Sequence, residues 1–247
     1  TTYSFLLSGV AIGTIITMSS QHWLMAWVGL ELNTLAITPI IAKQHHPRAT
    51  EATTKYFLTQ ATASAVLLFA STTNAWFSGS WDITQLTNST SCTLLTTALS
   101  MKLGLVPLHF WLPEVLQGAT MKTALIITTW QKIAPISIFL MSQNSISPKI
   151  MLMLAILSTF VGGWGGLNQT QTRKIMAFSS IAHLGWMAGI LTLNLELLML
   201  NLALYVMMTT TMFTMLILTM SKTIKDLTTT WTISPPLTAL TMLLLMS

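Results

Sequence analysis

The chain has 247 residues, 52% of them hydrophobic and only 7% charged, against about 25% charged in ordinary soluble domains. So few charges cannot cover a soluble surface, and with a mean hydropathy of +0.67 they place the chain among polytopic, all-α membrane proteins. The net charge of +5 reads as basic residues kept in loops on one membrane face rather than as a nucleic-acid surface, and the single cysteine, Cys92, excludes an internal disulfide, a cysteine zinc site and an iron–sulfur cluster.

Hydropathy suggests about nine spans, near 3–19, 23–42, 50–77, 92–111, 119–142, 150–168, 175–192, 197–220 and 231–247. Each has roughly the twenty residues that a bilayer requires. The first lacks a basic flank and a small-residue cleavage site, so it reads as a span and not as a signal peptide. No initiator methionine precedes it, and the expectation is of a gene that begins earlier. The second span carries Glu31 near its midpoint, inside Trp-Val-Gly-Leu-Glu-Leu-Asn. A carboxylate at that depth has to be protonated, paired or wetted. The third opens with Glu51 and Lys55, four residues apart. Lys55 is either half of a surface ion pair whose stem snorkels along the helix, or a partner for Glu31. The polar loop 78–91 holds the triplet Asn88-Ser89-Thr90, and Asn168-Gln169-Thr170 is a second such triplet. Neither receives a function, because these triplets are common by chance.

The fourth span ends in the stretch that organises the chain, Ser100 to Glu114, where Lys102, His109 and Glu114 surround Gly104 and Pro107. A lysine in hydrocarbon costs roughly 2.5–3.5 kcal/mol on insertion scales, so it rarely sits there without a role. Pro107 has no N–H, so the carbonyl of Leu103 loses its helical partner. Helix breakers beside a charge at membrane depth mark backbone that lines a cavity, here a broken helix with a proton or ion site. The fifth span places Lys132 near mid-membrane, and Pro135 frees the carbonyl of Gln131, which a kink or a water has to satisfy. The sixth ends in Gly162-Gly163-Trp164-Gly165-Gly166, glycines that permit close helix packing and do not match a dinucleotide fingerprint. The seventh holds Ser179, Ser180 and His183, with His183 either a packing residue or a relay.

Alternate loops collect the basic residues: Lys43 and Arg48, Arg173 and Lys174, Lys222 and Lys225. With nine spans these three loops share one side, which the positive-inside bias makes the cytoplasmic or matrix face. Glu31, Lys102, Lys132 and His183 are then each central in a separate span. Burial penalises the charged form of any such group, so a carboxylate that approaches or leaves an amine can switch its proton on or off. Buried ion pairs that only fix helix packing are the competing reading, although apolar replacements for such pairs are often no worse for stability.

Several motifs resemble one known family. Gly-Leu-Glu-Leu-Asn at 29–33, Lys-Tyr-Phe-Leu-Thr-Gln-Ala at 55–61, Met-Lys-Leu-Gly-Leu-Val-Pro-Leu-His-Phe-Trp-Leu-Pro-Glu at 101–114 and Gly-Gly-Trp-Gly-Gly-Leu-Asn-Gln-Thr-Gln at 162–171 resemble the chain 2 family of NADH–ubiquinone oxidoreductase. The likeness is to the mitochondrially encoded animal form, and it runs along essentially the whole chain. That family is similar to cation/proton antiporter subunits, with two inverted repeats of five helices and one broken helix in each. The resemblance implies a single membrane domain, 1–247, with a first repeat over 3–142 and a second over 150–247. It carries the family's glutamate onto Glu31, its broken-helix lysine onto Lys102 and its connecting lysine onto Lys132; the depth of the ionisable residues themselves adds His183 to the relay, with His109 and Lys55 as weaker candidates. It implies proton translocation in respiratory complex I, in the mitochondrial inner membrane, driven by NADH oxidation and quinone reduction. FMN, iron–sulfur clusters and the NADH and ubiquinone sites would belong to other subunits, with no cofactor on this chain and other membrane subunits as its partners. The family's second broken helix follows a Leu-Gly-Gly-Leu-Pro-Pro motif, whereas this chain stops at Leu-Leu-Leu-Met-Ser, so the expectation is an incomplete second repeat. A free-standing cation/proton antiporter would use the same groups, and a purely structural subunit would leave the midplane lysines unexplained.

Overall fold

The computed structural model describes residues 2–43, 46–232 and 234–246. Among them the chain forms twelve α-helices: α1 (Thr2–Ser19), α2 (Trp23–Ala42), α3 (Pro47–Ser78), α4 (Ser89–Leu103), α5 (Trp111–Gly118), α6 (Met121–Thr128), α7 (Trp130–Met141), α8 (Pro148–Leu167), α9 (Thr172–Leu191), α10 (Leu195–Thr219), α11 (Ile224–Thr230) and α12 (Pro235–Met246). The residues are unusually rich in threonine for apolar helices, and the hydroxyls are satisfied within their own helices. Thr14, Thr17, Thr96 and Thr209 each donate to a carbonyl three or four residues back, at 2.7–2.8 Å. A side chain that finds its acceptor one turn away brings no unpaired polar group into hydrocarbon.

Six segments are long and apolar enough to cross a membrane: α1, α2, α6 with α7, α8, α9 and α10. The expected count of nine is not reached by that measure, for three separate reasons. Helix α3 has the length, 32 residues, but is rich in threonine, serine and other polar groups. The span expected over 92–111 is cut after Leu103, leaving α4 with 15 residues. Helix α12 is apolar but short, and residues 233 and 247 of the span expected over 231–247 lie outside the described residues.

Helix α1 packs on α2, α2 on α3, and α3 on both α4 and α5; α8 packs on α9, which touches α5 and α10. The α8–α9 contact is close because of glycine. A Cβ on Gly162 would sit 2.6 Å from the backbone nitrogen of Ala182, and one on Gly165 would run into the Phe178 ring. The second glycine of the run, Gly163, has nothing within 4 Å and takes no part in that packing.

Two apolar clusters fill the interior, one above the other. The first gathers Trp23, Leu30, Leu67, Leu99, Phe139, Leu184 and Leu198, and the second Ile37, Tyr56, Trp111, Leu116, Ile181, Phe213 and Leu216. On α2, α3, α9 and α10, and across the α6–α7 junction, the change from one cluster to the other falls at polar residues. These are Glu31, Asn33 and Thr34 on α2, Gln60 and Ser64 on α3, Thr128 to Lys132 at the junction, His183 on α9 and Thr209 on α10; after α4 the change falls between Leu105 and Val106, just past Lys102. A polar belt thus crosses the middle of the molecule between two apolar layers.

The two ends also differ. At one end Trp23 N–H donates to the Trp81 carbonyl and Ile83 N–H to that of Gln21, which ties the 79–88 loop across the start of α2. Asn88 of the first Asn-X-Thr triplet caps α4, accepting from Thr90 N–H at 3.2 Å. At the other end Lys43, Lys122 and Lys222 line a depression of about 640 Å³, and Arg48, Arg173 and Lys222 an adjoining one of about 420 Å³. The three basic loops therefore meet on one face, joined by Lys122. There α11 starts with a capping box: Asp226 accepts from the N–H groups of Thr223 and Lys222, and its own N–H donates to Thr223 Oγ1. Those donors, Thr223 first and Lys222 next, hold the Asp226 carboxyl below its ordinary pKa.

Candidate functional site

The site begins where α4 fails. Gly104 takes φ +80°, a conformation closed to most side chains, and its N–H turns back to the carbonyls of Ser100 and Met101. Leu105 N–H also bonds Ser100, and Trp111 Nε1 donates to Met101 O at 3.1 Å. The Val106–Pro107 peptide is cis, and α5 starts four residues later. Because Pro107 offers no N–H, the Leu103 carbonyl needs a donor from elsewhere. Lys132 provides it: its Nζ reaches across from α7 to Leu103 O at 2.6 Å. An ammonium at a helix C-terminus makes a charge-assisted hydrogen bond and meets the negative end of the helix dipole. Its other face lies over the Trp111 ring, 5.2 Å from the centroid.

Lys102, the residue just before Leu103, is treated in the opposite way. It is 4% exposed, and among the described residues its Nζ has no hydrogen-bond partner; neither does Glu31 Oε2 nor either polar side-chain atom of Asn33. Glu31 is the carboxylate that acts electrostatically on Lys102. Between α2, α3, α4 and α7 lies a cavity of about 10 Å³, bounded by Asn33, Gln60, Lys102, Gln131 and Lys132 among others. That is roughly the room one water needs, with more than enough polar partners to hold it.

A second break separates α6 from α7, at Thr129, six residues before Pro135. The sequence places the disturbance at Pro135, yet α7 runs through that proline, which sits in its middle. At the break Lys132 N–H bonds Thr129 O at 3.2 Å, and the Thr128 carbonyl accepts instead from the Tyr205 hydroxyl of α10 at 2.7 Å. The Tyr205 ring packs on that of His183, centroids 5.6 Å apart.

The structure brings Lys102 and Lys132 to one cavity, bordered on α2 by Leu30 and Asn33 on either side of Glu31, while His183 packs on Tyr205. Two candidates stand apart. Lys55 pairs with Glu51 at 2.5 Å and with Glu114 at 2.6 Å, all partly exposed, so its partners are these two surface carboxylates and not Glu31. His109 is buried in the turn before α5, its Nδ1 unpartnered and its ring against Phe110 at 4.3 Å, and it does not border the cavity. Sequence reasoning passed over Asn33, Gln60 and Tyr205. Asn33 lies inside the Gly-Leu-Glu-Leu-Asn motif, while nothing in the pattern around Tyr205 marks it.

Residues 20–247 match the family described as NADH:quinone oxidoreductase/Mrp antiporter, TM. NADH-ubiquinone oxidoreductase chain 2 of Salmo salar is 57% identical over 244 residues, 99% of this chain and 70% of that protein. Among solved structures, a chain of respiratory complex I from Thermus thermophilus with bound aureothin superposes with a TM-score of 0.82 at 30% identity, covering 87% of this chain and 51% of its own. A chain of the Mrp complex from Dietzia sp. gives a TM-score of 0.76 at 17% identity, over 87% of this chain and 44% of its own, a likeness of fold alone. This chain thus spans about half the length of those two solved relatives.

Proposed function

We propose, for a chain that belongs to the NADH:quinone oxidoreductase/Mrp antiporter family, that it moves protons as a membrane subunit of an NADH:ubiquinone oxidoreductase. The observation that carries this reading is the Lys132 Nζ on Leu103 O at a helix break, facing unpartnered Lys102 across a water-sized polar cavity. A structural subunit would gain nothing from two lysines in so dry a place.

The mechanism follows from charge. At an effective dielectric of about 20, two like charges repel by about 4 kcal/mol at ~4 Å and about 2 kcal/mol at ~8 Å. Protonation of one lysine thus disfavours the charged form of the other by roughly 30- to 1000-fold. Glu31 sets which of them holds the proton: near Lys102 it favours the ammonium there, and drawn away it lets that proton leave through water in the cavity. A proton arriving on Lys102 pushes one off Lys132, toward the second break and His183. Lys55 and His109 have no step in this sequence.

The same reading assigns the rest. Redox energy, flavin and iron–sulfur clusters come from other subunits of the complex, and this chain binds no cofactor. Its neighbours are other membrane subunits, its place the mitochondrial inner membrane, with the Lys43, Lys122 and Lys222 face toward the matrix. Helices α1 to α7 form the first repeat and α8 onward the second. The test is Lys102→Ala in the assembled complex, reconstituted in vesicles, with NADH oxidation and proton uptake followed together. Both should fall at least tenfold while the amount of complex is unchanged; an assembled variant that pumps normally overturns the proposal.

A further inference from the structure

Tyr205 takes no part in the sequence of steps above, yet it is buried at 3% exposure and makes one bond that a packing residue has no need of. In an unbroken helix the Thr128 carbonyl would accept from the N–H of Lys132, four residues on. Here that N–H goes to Thr129 O, and the Tyr205 hydroxyl takes the vacated acceptor at 2.7 Å. We propose that Tyr205 is a positioning residue, a latch from α10 that holds the α6–α7 break open and thereby holds Lys132 on the Leu103 carbonyl.

The latch rests on the functional reading of Lys132 and extends it. Two donors compete for the Thr128 carbonyl. With Tyr205 on it, Lys132 keeps the turn that points its Nζ at Leu103 O. With Tyr205 withdrawn, the carbonyl is left dry and unpaired, and the nearest remedy is the Lys132 N–H, whose return rewinds the junction and swings the lysine side chain off Leu103. The element therefore has two discrete arrangements, and only one lets Lys132 span the two breaks. The hydroxyl carries a single proton, so while it is given to Thr128 it cannot also be given to the His183 ring, packed 5.6 Å away. The residue that fixes the break is thus the one that stands between Lys132 and His183.

The experiment compares Tyr205→Phe, which keeps the ring and deletes the donor, with Tyr205→His, which keeps a ring and an N–H donor. Both are measured in the assembled complex in vesicles, alongside Lys132→Met and the double variant Tyr205→Phe/Lys132→Met. Tyr205→Phe is expected to leave the quinone KM unchanged, to lower proton uptake and NADH oxidation together at least twofold, and to add nothing to Lys132→Met. Tyr205→His should recover at least half of the loss. Normal pumping by Tyr205→Phe, an additive double variant, or failure of both Tyr205 variants to assemble would each make Tyr205 a packing residue and overturn the latch. Normal pumping by Lys132→Met would instead sink the functional reading on which it stands.

Discussion

Replacing Lys132 by methionine tests the site at its most connected residue. The methionine stem fills nearly the same volume, so no large cavity opens. What is lost is the donor to Leu103 O, and an unpaired buried carbonyl costs about 1–3 kcal/mol. Against this, a side chain 2% exposed no longer has to hold a charge out of water, and apolar replacements of buried charges are often neutral or stabilising by about 1–4 kcal/mol. The two terms are of similar size and opposite sign, so the complex should assemble with its thermal stability within a few degrees of the original. Transport should fare differently, because the repulsion of about 2–4 kcal/mol that moves a proton between the lysines is gone. Proton uptake in vesicles should fall at least tenfold, with NADH oxidation falling alongside. Lys132→Arg separates the two roles, since arginine keeps both the charge and the hydrogen bond but does not release a proton. It should assemble as well as the original and pump as poorly as the methionine variant. Full pumping by the arginine variant would refute the claim that Lys132 exchanges a proton, leaving it only as a cap on α4.

Three further perturbations follow from other elements. Gly104→Ala places a Cβ at φ +80°, a cost of about 1–2 kcal/mol that should appear as a lower melting temperature of the membrane part of the complex. Gly162→Val drives its side chain into the Ala182 backbone, and forced parting of α8 and α9 should cost about 1–3 kcal/mol and reduce assembled complex on native gels. Asp226→Asn removes the carboxylate that accepts from Lys222 and Thr223, and amide exchange at those two N–H groups should quicken. Since the folded-state pKa of Asp226 lies below its unfolded value, the cap of the unsubstituted chain is complete above the unfolded value and lost as pH falls through the folded one. Its protection of the two amides, taken against the intrinsic exchange rate at each pH, should therefore fall only in that acid window, and loss of protection at neutral pH would contradict it.

The broken helix was legible because its parts are individually costly. A proline, a glycine and a lysine are each disfavoured inside a packed apolar helix, and a cavity-lining break accommodates all three at once. The orphaned Leu103 carbonyl could be deduced from Pro107 alone, but not which group would serve it. That donor, Lys132, is 29 residues away, and only the crossing of α4 and α7 brings it there. The second break was misplaced for a related reason. A proline removes a single N–H donor, here the one to the Gln131 carbonyl, and α7 runs through Pro135 in spite of it; the break falls instead at Thr129, where β-branched residues adjoin an outside donor. Lys55 was open to two readings because a helical spacing of four identifies a neighbour, Glu51, and is blind to Glu114, which arrives from α5.

The placement of the polar groups bears on why two breaks occur rather than one. Each leaves a carbonyl in the belt between the apolar layers, and each carbonyl is served by a side chain from another helix: Leu103 by Lys132, Thr128 by Tyr205. Lys132 is common to both, through its Nζ at the first break and its displaced N–H at the second. A shift at either carbonyl therefore changes the geometry at the other within one helical turn, with no need for motion of the apolar layers. Unbroken helices would satisfy the same carbonyls internally and leave the lysines with no backbone to respond to. On the proposed mechanism the belt is polar where charges have to couple, and the close-packed layers on both sides would keep water from bypassing it.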